Sequence, residues 1–136
     1  MRRYDLWFLI LAAACLIVGV VMGIAMGVVH DFRLGPVHAH LNLLGWASLA
    51  LFGLTYRAYP ALGASRIAGF HFAAAALGAV TLPAGITLSI LAENPGLAIA
   101  ASFVWLAAAL LFLANLVAMA LSGARSPQGV SSPAAA

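Results

Sequence analysis

Four apolar runs, each long enough to cross a bilayer, predict an all-α integral membrane protein built as a four-transmembrane-helix bundle. The chain of 136 residues is 65% hydrophobic and 7% charged, with a mean hydropathy of +1.12, a composition outside the range of soluble domains. A helix needs roughly 20 apolar residues to cross a hydrocarbon core of about 30 Å. Such runs fall at about Leu6–Val29, Val37–Tyr59, Ile67–Leu91 and Leu97–Leu121. The linkers are short, which makes consecutive spans antiparallel neighbours. Residues 1–121 are therefore expected to form one transmembrane domain. The Ser-, Pro-, Gly- and Ala-rich stretch 122–136 reads as a disordered cytoplasmic tail.

The first span follows Arg2 and Arg3, a pattern that can also open a secretory signal, and Ala-Ala-Ala-Cys15 faintly resembles a lipoprotein cleavage site. The apolar run continues to Val29, too long for a signal h-region, so the segment is read as a retained helix. Cys15 is the only cysteine. It allows no disulfide framework and no Cys-x-x-Cys-His haem attachment, and reads as a small packing residue. Gly19, Gly23 and Gly27 recur at every fourth position, a stripe that lets helices approach closely in lipid.

Orientation follows from the arginines, since the chain has no lysine. Arg2, Arg3, Arg57, Arg66 and Arg125 fall on one side of the membrane and Arg33 alone on the other. The positive-inside rule then places both termini in the cytoplasm of a bacterial inner-membrane protein. The net charge of +3 is a topology signal and implies no nucleic-acid partner.

Polar residues inside the apolar spans carry the functional reading. His38 and His40 open the second span on the outer side, with Asn42 just below. Positions i and i+2 on a helix point roughly 200° apart. The two imidazoles therefore face different neighbours at similar depth and cannot bind one metal together. His71, near the start of the third span, lies on the order of 20 Å from His40 toward the other face. It reads as a snorkelling or interhelical hydrogen-bonding histidine, and His30 as an interfacial one that could lie beside His38. Asn115 reads as polar glue between helices. In the third span Pro83 is expected to kink the helix, with Thr81 or Thr87 satisfying nearby groups.

For His38 and His40, plain interhelical hydrogen bonds are the alternative to ligation. Such bonds average only about 0.6 kcal/mol in membranes, a weak reason to place two imidazoles there, so metal or haem ligation is the reading. Imidazoles suit haem iron, copper or zinc. The lack of a nearby intramembrane carboxylate or thiolate argues against a closed tetrahedral zinc site. His38, Asn42 and Gly45 share one face, where the glycine is expected to leave room for a porphyrin. His40, Ala47 and Leu51 form the other. Arg33, the lone cation on that side, is placed to meet the propionates. His30 and His71 are the secondary metal candidates.

The stretch His38-Ala39-His40-Leu41-Asn42 through Gly53 to Tyr59-Pro60 resembles the histidine-rich helix of the haem–copper oxidase catalytic subunit, a superfamily that includes the nitric oxide reductases. In that family a His-x-His pair opens a helix from the outer side and its imidazoles bind two different haems. The resemblance implies that His38 and His40 are axial ligands of haem b. The family's subunit has twelve helices in three quasi-equivalent groups of four, so it also implies a homotrimer of this four-helix chain. Two rings that face apart fit such a ring: His38 of one protomer can meet His40 of the next. Ligation within one protomer by His30 and His38 is the competing arrangement.

Departures from the family limit what carries over. No cluster of three histidines is present to hold copper beside a haem, and intramembrane glutamate and lysine are absent. The expected activity is therefore electron transfer or redox sensing through bis-histidine haem b, with a redox partner or quinol, more than a complete oxidase. The alternatives are an oxidase, reductase or gas sensor with an open haem or haem–copper site, and a non-haem structural or copper-binding membrane protein.

Overall fold

The computed structural model describes residues 3–123. They form α1 (Tyr4–Val29), α2 (Gly35–Ala58), a short α3 (Pro60–Ala64), α4 (Ile67–Ala92) and α5 (Gly96–Gly123), with no strand among the described residues. α1, α2, α4 and α5 are the four helices long and apolar enough to span a membrane, and their bounds follow the expected spans closely. The expected tail lies, from residue 124 onward, outside the described residues.

Each boundary has a local cause. α1 ends where His30 takes a left-handed conformation, φ 54°, and its N–H bonds back to the Met26 carbonyl. α2 begins with Gly35-Pro36, proline's fixed φ suiting a first helical turn. Ser65 Oγ accepts the Ala68 N–H at 3.2 Å and so caps the start of α4. α4 ends at Glu93, φ 51°. Asn94 Oδ1 then accepts the Gly96 N–H at 3.1 Å where α5 begins.

α2 is not α-helical throughout. Leu41–Ser48 winds as a π-helix, a rare form found mostly as single turns. The Ser48 hydroxyl donates to the Leu43 carbonyl five residues back, at 2.8 Å, which satisfies an acceptor within the π stretch. α4 runs as one helix through Pro83. Thr81 donates to the Leu77 carbonyl at 2.7 Å and Thr87 to the Pro83 carbonyl at 2.9 Å.

α1 packs along α2 and α4 along α5. Small residues set both contacts, as expected where close packing replaces the hydrophobic effect. A Cβ on Gly85 would stand 2.4 Å from the Ala98 amide nitrogen, and one on Gly78 would stand 3.0 Å from the Trp105 ring. The two pairs join through the first turn of α2, which packs on α4, and again at the end where α1 starts and α2 finishes. There Phe8, Phe52, Phe72 and Phe112 close over His71 and Tyr56 in one aromatic core. Phe8, Leu49, Leu62 and His71 are its largest fully buried side chains.

Candidate functional site

His38 and His40 sit one turn into α2, and their rings separate as the i, i+2 spacing requires. His38 turns toward α1. Its Nδ1 lies 2.8 Å from the Gly19 carbonyl oxygen. A carbonyl only accepts, so Nδ1 carries the proton and Nε2 keeps the lone pair. The ring reaches that carbonyl by crossing Gly23, where a Cβ would stand 2.9 Å from His38 Cε1. Asn42 donates to the His38 backbone carbonyl at 2.8 Å, and its Nδ2 stands 3.4 Å from both ring nitrogens.

His40, two positions on, lies on a different face of α2 from His38. Its Nδ1 donates to the Pro36 carbonyl at 2.7 Å. Nε2 is again left without the proton, and the residue is half-buried on a turn that packs on α4. A histidine whose Nδ1–H is held by a carbonyl has the tautomer and fixed orientation of a metal-ligating imidazole.

The face formed by His38, Asn42 and Gly45 differs from the expected open groove. α1 fills it. Gly23 lies against His38 and Gly19 against Asn42, while a Cβ on Gly45 would stand 2.8 Å from Cys15 Cβ. The glycine at 45 thus makes room for the buried Cys15 of the same chain, and no flat ring fits between α1 and α2 as they pack here. The stripe expected on the first span is the surface that closes this face, at Gly19 and Gly23. A Cβ on Gly27 would meet nothing within 4 Å.

Arg33 is engaged by Asp31. Its Nη2 and Nε donate to Asp31 Oδ2 at 2.7 and 3.0 Å, and its backbone N–H donates to Oδ1 at 3.1 Å. The guanidinium beside it holds the Asp31 carboxyl below the usual carboxylate range, and the carboxylate in turn raises Arg33. A propionate on Arg33 has to share or displace this contact. His30, at the end of α1, is exposed and the structure shows no bond between it and His38.

His71 lies near the opposite end and belongs to a separate network. It is fully buried. Asn115 Nδ2 donates to the Tyr56 hydroxyl oxygen at 3.1 Å and to the Leu62 carbonyl at 3.2 Å. The Tyr56 hydroxyl lies 3.0 Å from His71 Nδ1. Because Asn115 already donates into Tyr56, the phenol proton goes to His71 Nδ1, which must be the acceptor. His71 Nε2 then carries the ring proton, the reverse of His38 and His40. It has no hydrogen-bond partner and stands among Phe52, Phe8 and Phe112, with ring centroids 4.7, 5.1 and 5.3 Å away. With Nδ1 occupied and Nε2 protonated, this imidazole ties α4 to α2 and α5 and is not set up to ligate a metal.

Sequence reasoning did not single out Tyr56, the hub of that network, or Pro36, whose carbonyl anchors His40. Among the described residues no three His, Cys, Asp or Glu side chains group around a common metal position; an axial haem ligand requires one imidazole per side. Comparison with protein-family models, with curated proteins and with solved structures gave no match for this chain. The likeness to the haem–copper oxidase helix rests on the stretch from His38 to Pro60.

Proposed function

We propose that this chain is a membrane haem b protein of electron transfer or redox sensing, with His40 as an axial ligand at a contact between copies of the chain. The observation that carries the reading is the 2.7 Å bond from His40 Nδ1 to the Pro36 carbonyl. It fixes the ring, raises its basicity and leaves the Nε2 lone pair for a ligand. Haem b held there supplies a one-electron carrier; the chain supplies ligand, orientation and an apolar surround. Three copies closing in a ring give three equivalent sites, each with His40 of one protomer and His38 of the next. His38 has the matching tautomer, and its use requires the ring to leave Gly23. By the arginine distribution the His40 end faces outward across a bacterial inner membrane and both termini lie in the cytoplasm.

One observation favours a second reading. If α1 keeps His38 against Gly19 and Gly23, His40 is the single protein ligand and the haem keeps an open position for oxygen, nitric oxide or carbon monoxide. Carbon monoxide added to the reduced, detergent-purified protein separates the two. An unchanged spectrum supports bis-histidine ligation, and a shifted Soret band supports the open site. A protein that binds copper and no haem contradicts both.

A further inference from the structure

At the arginine-rich end, a cavity of about 250 Å³ lies between the start of α1 and the end of α2, lined by Arg3, Tyr4, Asp5, Tyr56, Arg57 and Pro60. Asp5 is its pivot. The carboxylate accepts Arg57 Nη1 at 3.2 Å and Arg3 Nε at 3.4 Å, and its side chain is only 13% exposed. The two arginine side chains are more than half exposed, and each commits one of its five N–H donors to Asp5. Two cations against one carboxylate leave the cavity a single net positive charge.

Its depth is marked independently. α1 starts at Tyr4 and α2 ends at Ala58, so the cavity opens at the level where the spans leave the hydrocarbon. All three tyrosines of the chain, Tyr4, Tyr56 and Tyr59, lie at this end. Tyr59 and Trp7 are 53% and 57% exposed, as in the aromatic belts that sit at headgroup level. At this end Leu6 and Ile10 of α1 and Leu54 of α2 present exposed apolar surface.

We propose that this cavity binds the phosphodiester of an anionic membrane lipid. The phosphodiester carries one negative charge, which matches the single net positive charge of Arg3, Arg57 and Asp5. Guanidinium groups recognise phosphate oxygens through paired N–H donors, and basic pockets between membrane helices are sites for anionic headgroups. This site is independent of the haem reading and lies at the other end of α2.

The test uses the full chain in detergent, stripped of lipid and titrated with phosphatidylglycerol or with phosphatidylcholine of the same acyl chains, with bound lipid read by native mass spectrometry. Phosphatidylglycerol should bind in preference. Arg57→Gln should weaken it about five-fold, the effect of one cation near a charged headgroup. Asp5→Asn should tighten it by a similar factor, although that change removes both ion pairs and lowers stability. The opposite signs separate binding from misfolding. Equal binding of the two lipids, or no gain in Asp5→Asn, would overturn the proposal. So would retention of inorganic phosphate or glycerophosphoglycerol without a preference for the lipid.

Discussion

The His38 imidazole lies across Gly23, and only the missing side chain there lets its Nδ1 reach the Gly19 carbonyl at 2.8 Å. The pairing is one step in an antiparallel register in which Gly23, Gly19 and Cys15 meet His38, Asn42 and Gly45. It follows that Gly23→Ala, with its methyl 2.9 Å from His38 Cε1, must push the ring off its carbonyl. The expected loss is about 1 kcal/mol, the worth of the displaced hydrogen bond, because the ring can move aside. Gly27→Ala meets nothing within 4 Å and should leave the melting temperature in detergent unchanged or slightly raised. Equal effects from the two would mean that the α1–α2 register is wrong.

Gly85→Ala is expected to be the more damaging substitution. Its methyl would meet the backbone of Ala98 at 2.4 Å, and a backbone cannot rotate aside as a ring can. The α4–α5 contact has to open. Loss of folded protein by size-exclusion chromatography should exceed that for Gly23→Ala. A well-folded Gly85→Ala protein would show that these helices are farther apart.

Tyr56→Phe removes one oxygen and leaves two buried groups, His71 Nδ1 and an Asn115 N–H, each short of a partner. A destabilisation of about 1–2 kcal/mol is expected. In the Asn115→Leu background the same change should cost less, because the two residues share a bond. Additive losses in a double-mutant cycle would mean that the network is not coupled.

Asp31 supplies the pH dependence at the other end. Its carboxyl is held below the ordinary value near 3.9 by hydrogen bonds from Arg33. Its folded pKa is depressed, so the ion pair's contribution is present above the unfolded pKa and is lost as pH falls through the folded one. By NMR titration Asp31 should ionise below the ordinary aspartate range, and Arg33→Gln should return it there. No change in Arg33→Gln would mean that the pair does not form in solution.

Hydropathy made the four spans legible because a bilayer demands long apolar helices, and it placed His38, His40 and His71 at their depths. Periodicity showed that His38, Asn42 and Gly45 share a face. It could not show what covers that face, since one helix's pattern says nothing of its neighbour's register. Two clues were present: small residues at 15, 19 and 23, and polar or small ones at 38, 42 and 45, with nearly matching spacings in opposite directions. The π-helical stretch left no such trace. Asn115 and His71 were legible as polar glue, whereas Tyr56 passed as one more aromatic at a span end, because its partners lie 15 and 59 residues away.

The central claim, that His40 offers Nε2 to haem iron, is tested most directly by a reduced-minus-oxidised absorption spectrum of the detergent-purified protein, expressed with ample haem, beside His40→Ala and His71→Ala. The account predicts sharp α and Soret bands in the wild type, their collapse in His40→Ala, and their persistence in whatever His71→Ala protein remains folded. A colourless wild type, or bands that survive in His40→Ala, would contradict it.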